Sequence, residues 1–216
     1  MDTDRTQASP GGEGAIAYTA RLHRARSGDR SALEELLVPE LPRLLAYVRL
    51  RAGDKLASRE TPEDLVQSVC REVVRDITSV KADSEEGFRA WLIGVAGNKL
   101  NAKRRFHEAA KRSKEQPGFW DDHTSVEPDE LLGCYSLLVT PSREVAVEEE
   151  LRRIESAFAA LPENYRQVLL LVGVGGLSHE AAAGELGGTV ESIKQLTYRA
   201  RARFATLLDR GEHEAS

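Results

Sequence analysis

Apolar residues recur at three- and four-residue intervals over most of the chain, and no stretch of useful length alternates in the two-residue period of a strand. That pattern predicts an all-α protein. Leu33, Leu36, Leu37, Leu41, Leu44, Leu45 and Val48 form the first stripe, with Pro39 and Pro42 interrupting, which predicts two short helices or a kinked one. Thr61-Pro-Glu-Asp64 is a helix start. The threonine can cap free backbone N–H groups, Pro62 suits the first helical position, and two carboxylates complement the dipole. The helix it opens puts Leu65, Val66, Val69, Val73 and Ile77 on one face and leaves Glu63, Gln67, Arg71 and Arg75 towards the other.

A loop through Asp83, Ser84, Glu85, Glu86 and Gly87 should follow. Phe88, Trp91, Leu92, Val95, Ala102 and Phe106 then mark one stripe of a second long helix, with Ile93, Gly97 and Leu100 opposite; a helix apolar on two faces belongs at the centre of its domain. Sharing the buried stripe makes Trp91 and Phe106 core residues rather than stacking platforms. Further on, Thr140-Pro141 repeats the cap-plus-proline signal, and Val147, Leu151, Ile154, Phe158 and Leu161 follow at helical spacing. Pro162 ends that helix and starts another, Glu163 to Val172, which Gly173, Gly175 and Gly176 should stop.

The last segment reads as a helix-turn-helix. Ser178 caps a short helix to Leu186, Gly187-Gly188 makes a tight turn, and Thr189 caps a longer helix through Leu208. With Ile193 at zero and roughly 100° per residue, Val190, Thr197, Ala200, Phe204 and Leu207 lie within about 60° of it and form the core face. Glu191, Lys194, Gln195 and Tyr198 fall on the opposite face near the helix N-terminus, where a recognition helix meets base edges in the major groove. Lysine can donate to guanine, glutamine can pair with adenine, and glutamate can accept from cytosine. Arg199, Arg201, Arg203 and Arg210 can supply phosphate contacts or a solvated surface.

Charge divides the chain. Residues 99–114 carry seven basic side chains against Glu108 alone, whereas residues 121–150 carry nine acidic ones against Arg143 alone. Proline and glycine at 117, 118, 128 and 141 break helix, so 115–141 reads as an acidic linker. The apolar run Leu131 to Val139 inside it is expected to dock on something. The expected organisation is a disordered tail over 1–14, a helical domain over 15–114, the linker, a second helical domain over 142–210, and a tail over 211–216.

Composition narrows the class. With 41% hydrophobic and 30% charged residues the 216-residue chain can bury a core, so a wholly disordered protein is excluded. No apolar stretch approaches the roughly 20 residues of a membrane span. Cys70 and Cys134 lack metal-ligand or redox spacing and read as buried thiols of a reducing cytosol. No nucleotide-binding, nucleophile-elbow or zinc-protease motif is present, and His23, His107, His123, His179 and His213 are scattered. Neither catalysis nor a cofactor or metal is expected.

Gly176-Leu-Ser-His-Glu180, Leu186-Gly187, Ile193-Lys194 and Tyr198-Arg-Ala-Arg201 resemble region 4 of bacterial sigma-70-type factors, in particular the small extracytoplasmic-function (ECF) group, and Leu161 to Leu169 resembles the start of that region. Independently, Glu63-Asp-Leu-Val-Gln67 resembles the family's region 2 helix that docks on RNA polymerase, and Phe88-Arg-Ala-Trp-Leu92 with Asn98, Arg104 and Arg105 resembles the helix that recognises and melts the −10 element. The resemblance covers about residues 18–112 and 143–210. It implies a region 2-like bundle and a region 4-like helix-turn-helix. The implied partners are the β and β′ subunits of core RNA polymerase and promoter DNA, and there is room for an anti-sigma factor. It further implies polymerase contacts at Glu63, Asp64, Gln67 and Arg71. The −10 contacts fall at Asp83, Ser84, Glu85, Asn98, Asn101, Arg104 and Arg105, and the −35 contacts at Thr189, Glu191, Ser192, Lys194, Gln195, Tyr198 and Arg199. As a structural alternative, Asp64 is also a sufficient capping carboxylate. Where the family usually carries an arginine and then a leucine, this chain has Leu196 and Thr197, which puts a hydroxyl on the core face.

Two other readings compete. A helix-turn-helix regulator acting without polymerase would need a dimer and a palindromic operator. An anti-sigma-like bundle would need neither the basic stretch nor the polar recognition face.

Overall fold

The computed structural model describes residues 10–112 and 145–214. Every element among them is helical. Residues 1–9 of the tail predicted over 1–14, the acidic linker with its apolar run and Cys134, and the Thr140-Pro141 start lie outside the described residues.

The first helix, α1 (Pro10–Arg26), begins inside the stretch expected to be tail. Proline at the first helical position forgoes only an N–H that would be unpaired anyway. Asp29 caps α2 (Arg30–Leu37), its carboxylate accepting from the Ala32 N–H at 3.1 Å. One 3₁₀ turn, Val38–Glu40, carries Pro39 and separates α2 from α3 (Leu41–Ala57), so the proline-interrupted stripe is two helices. Thr61 caps α4 (Pro62–Asp76) as its sequence predicts.

The long α5 (Glu85–Arg112) starts three residues before Phe88, which shortens the expected 83–87 loop. Ser84 is the reason: its hydroxyl accepts from the Gly87 N–H at 3.1 Å and its carbonyl from Phe88 at 2.9 Å. A side chain at Gly87 would press on Ala82 at 2.9 Å, so the turn is closed tightly. Phe88, Leu92, Ile93, Ala96 and Leu100 are buried among α1, α3 and α4, which makes α5 the central helix; Ala102, expected in the stripe, is exposed. Each such large side chain contributes about 1.5–3 kcal/mol on burial. Glu40 is only 5% exposed and carries two cations, Arg43 Nη1 and Arg89 Nε, each at 2.8 Å, which ties the start of α3 to α5.

In the second half, α6 (Val145–Ala159) leads through Pro162 to α7 (Glu163–Val168). Instead of stopping near Val172, α7 continues as a π-helical turn, Leu169–Val174. Gly175 closes that turn by donating to Leu170 O at 2.8 Å, and a Cβ at Gly175 would lie 2.7 Å from Leu171 O. Then come α8 (His179–Leu186) and α9 (Val190–Glu214), the latter running beyond the predicted end at Leu208.

The two halves touch. Helix α3 meets α6 and the π-turn, and the Arg43 guanidinium lies 3.3–3.5 Å from where a Cβ on Gly176 would stand. Gly176 has a φ of 69°, a left-handed conformation that glycine adopts without strain. Glu86 Oε1 accepts from the Ser178 N–H at 3.1 Å, so the first turn of α5 reaches the cap of α8.

Candidate nucleic-acid interface

The helix-turn-helix is built by its caps. Ser178 Oγ accepts from the Ala181 N–H at 3.1 Å, and Gly187, at a φ of 73°, ends α8 by donating to Ala183 O at 3.0 Å. Thr189 and Ser192 then cap α9 reciprocally: Thr189 Oγ1 accepts from Ser192 N–H, Ser192 Oγ accepts from Thr189 N–H, both at 3.1 Å, and Ser192 Oγ donates to Thr189 O at 2.7 Å. Those two hydroxyls therefore hold the turn.

Ile193, Thr197 and Ala200 are buried, and Phe204 meets Phe158 of α6 edge-on with centroids 6.1 Å apart. The buried Thr197 hydroxyl is satisfied, donating to Ile193 O at 2.8 Å, so the departure from leucine leaves no unpaired group. Leu196 packs at the edge of the core. On the outer face Glu191, Lys194, Gln195 and Arg199 are exposed, and Tyr198 is 77% exposed, high for an aromatic side chain. Gln195 lies between Glu191 at 3.5 Å and Arg199 at 3.3 Å, a row of donors and acceptors along the N-terminal turns.

The −10 candidates do not all meet. Asn98, Asn101 and Arg105 share one side of α5, within about 60° by helical geometry, with Asn98 and Arg105 exposed. Arg104 faces away: its guanidinium donates to the Arg51 and Ala52 carbonyls and caps the first section of α3 before the Gly53 kink. Burial, and then the Arg51 charge, pull that guanidinium below its usual basicity. Lys99 pairs with Glu72 at 2.8 Å and Lys103 with Glu60, so among the described basic residues of 99–114 most are held within their own domain and Arg105 is exposed for contact.

Asp83, Ser84 and Glu85 stand exposed at the head of α5, with Ser84 as cap and Glu85 paired to Arg89. Here the structure adds a residue with no sequence signal: Thr19 Oγ1 of α1, whose one proton is shared between Asp83 O at 2.8 Å, 64 positions away, and Ala15 O of its own helix at 2.9 Å. On α4, Glu63, Asp64, Gln67 and Arg71 fall within about 100° of arc, with Asp64 and Arg71 exposed. Asp64 also closes the cap, accepting from Thr61 Oγ1 at 2.8 Å while its own N–H donates to that oxygen at 3.1 Å.

Trp91 is half-buried against Phe88, centroids 5.8 Å apart, in line with a packing role. Burial pushes the Cys70 thiol up to about 12, which keeps it protonated and unreactive. Among the described residues no group of three or more metal-ligating side chains gathers, and no helix is long and apolar enough to cross a membrane.

Comparison with known proteins agrees with this arrangement. Residues 151–204 match the family Sigma-70, region 4. The chain is 30% identical over 194 residues to the ECF RNA polymerase sigma factor ShbA of Streptomyces griseus, covering 88% of this chain and 94% of that one. It is 28% identical to the ECF RNA polymerase sigma factor SigD of Mycobacterium tuberculosis, over 86% and 81% of the two chains. Among solved structures, CnrH in complex with the cytosolic domain of CnrY superposes with a TM-score of 0.57 at 23% identity, over 90% of this chain and 98% of that one. The sigma factor RpoE of Bartonella quintana, bound to the anti-sigma factor NepR, gives 0.51 at 24%, over 82% and 95%. The two-part helical fold, the capped helix-turn-helix and near full-length kinship together make this chain a member of the extracytoplasmic-function group of RNA polymerase sigma factors.

Proposed function

We propose that this transcription initiation factor binds the β and β′ subunits of core RNA polymerase through the outer face of α4. In this reading Asp64, Gln67, Glu63 and Arg71 make the contact. The head of α5 with Asn98, Asn101 and Arg105 reads the −10 element, and Glu191, Lys194, Gln195, Tyr198 and Arg199 of α9 read the −35 element. Residues 15–114 and 142–210 are the two working units, and the chain acts in the cytoplasm without catalytic chemistry of its own. An anti-sigma factor is a further expected partner.

The observation that carries this reading is the outer face of α9. Five polar or amphipathic side chains stand exposed on the first turns of a helix whose opposite side is locked into a core. That is the arrangement major-groove recognition requires.

The test is a pull-down of core RNA polymerase by the wild-type chain and by the Asp64→Ala, Gln67→Ala double variant, followed by abortive transcription on promoter fragments. Polymerase capture that weakens at least about tenfold in the variant, a loss of about 1.4 kcal/mol, with promoter-dependent initiation by wild type, is expected. Tight duplex binding with no capture of polymerase would instead support an operator-binding regulator.

A further inference from the structure

One short loop of the second half is seated on the head of α5. Glu86 Oε1, next to the 83–85 candidates, accepts from the Ser178 N–H at 3.1 Å across 92 positions. Ser178 caps α8, so a carboxylate of the first half stands at the opening of the helix-turn-helix. Beside it, a Cβ on Gly175 would lie 3.3 Å from Ile93 Cγ1 of α5, and the Arg43 guanidinium of α3 lies against Gly176. Ile93 and Leu177 are both buried, in one core that runs through the two halves.

That seating holds the two DNA-reading parts too close together for a promoter. From Ser178 along α8 and through the turn to Val190 the chain reaches at most about 26 Å. The Glu86 side chain and the step back to Asp83 add less than about 20 Å. The head of α5 and the first turn of α9 therefore stand no more than about 50 Å apart. Elements at −10 and −35 are separated by about 25 base pairs, roughly 85 Å at 3.4 Å per pair. A duplex that short, against a persistence length of about 150 base pairs, does not fold back far enough to close the difference cheaply. Both elements can be read at once only if the halves part, and residues 113–144 can span roughly 100 Å when extended, so the connection allows it.

We propose that the contact of Glu86 with Ser178 is a latch that keeps the free factor closed, and that core polymerase is the partner that opens it, an inference that rests on −10 reading by the head of α5 and −35 reading by α9. The first helix of a helix-turn-helix crosses the DNA backbone. Glu86 puts a negative charge on the end of that helix, so latch and duplex compete for it. The outer face of α4 is free in the closed arrangement, with Asp64 and Arg71 exposed, so polymerase can dock on the first half before the second moves away. If only the open fraction binds duplex, the apparent affinity of the free chain is reduced by that fraction. Weakening the latch then tightens duplex binding without adding any contact to DNA.

The experiment uses the full chain, free and with core polymerase. Footprinting of the wild-type holoenzyme on a promoter duplex comes first; no protection at −35 removes the −35 reading and the latch with it. On a duplex that is protected, free wild type, Glu86→Ala and Glu86→Gln are compared for affinity, and the radius of gyration of each free chain is measured by small-angle scattering. Glu86→Ala should bind at least about threefold more tightly than wild type and have a larger radius. Glu86→Gln loses the same charge but keeps an acceptor oxygen, and should stay nearer to wild type in both. Polymerase should narrow the difference between wild type and Glu86→Ala. Unchanged affinity and radius in Glu86→Ala overturns the latch and leaves the −35 reading intact. Equal tightening in both variants at unchanged radius also overturns it, by showing only relief of charge repulsion against the duplex.

Discussion

The Arg49 guanidinium Nε stands 2.8 Å from Glu155 Oε1 and joins α3 of the first half to α6 of the second. Ion pairs this accessible contribute about 0–1 kcal/mol, so deleting one partner does little, whereas reversing its charge sets two carboxylates against each other. Arg49→Glu should therefore loosen the contact between the halves and raise the radius of gyration in small-angle scattering. Adding Glu155→Arg should restore it. An unchanged radius in the single reversal would show that apolar contact alone holds the halves together.

On α9 the exposed residues divide by the kind of contact they can make. Gln195→Ala should relax preference at one base pair of the −35 element, at a cost of about 1–3 kcal/mol on the preferred sequence. Arg199→Ala should weaken every sequence alike and reduce the salt dependence of binding by about one phosphate contact. Competition between duplex variants in the holoenzyme, read at two salt concentrations, separates the two patterns.

Acid should destabilise the first half through Glu60 and Glu72. Burial opposes ionisation of each, but hydrogen bonds from Lys103 and His107 to Glu60, and from Lys99 and Arg75 to Glu72, outweigh it and hold both carboxyls below their ordinary value of 4.5. A depressed folded value means that the stabilisation is complete above about pH 4.5 and is lost as the pH falls through the folded values. Denaturant titrations at pH 6 and pH 4 should show the drop, and Glu60→Gln with Glu72→Gln should flatten it at the cost of lower stability at pH 6. An undiminished drop in that double variant would place the acid sensitivity elsewhere.

Two glycines of the helix-turn-helix should respond in opposite directions to alanine. Gly184 sits within α8 with open space where a Cβ would go, so Gly184→Ala should stabilise the chain by about 0.5–1 kcal/mol. Gly187 holds a φ of 73°, and Gly187→Ala should cost about 1–2 kcal/mol. Thermal melting that ranks the variants the other way would contradict the assigned turn.

Helix caps and core stripes were legible in the sequence because each is a local pattern: Thr61, Ser178 and Gly187 all act where propensity places them. Boundaries shifted where a short-range detail won, as at Ser84, which starts α5 early, and at the π-turn after Val168. Surface charge was the least legible. A run of lysines and arginines looks like a basic face, but Lys99, Lys103 and Arg104 are spent on Glu72, Glu60 and the end of the first section of α3. Those partners lie 27–53 positions away and carry no periodic signal. Glu40 between Arg43 and Arg89 was invisible for the same reason, since only the fold brings a glutamate and two arginines to one buried point.

The hydrogen bond from Thr19 to the Asp83 carbonyl has a consequence for exchange of parts between related factors. The short segment ahead of α5 takes its shape from a hydroxyl on the opening helix of the chain, so a graft of 83–87 alone would arrive without its anchor. Transfer of base preference from one factor to another should succeed when α1 travels with that segment, and Thr19→Ser should sustain it where Thr19→Val does not.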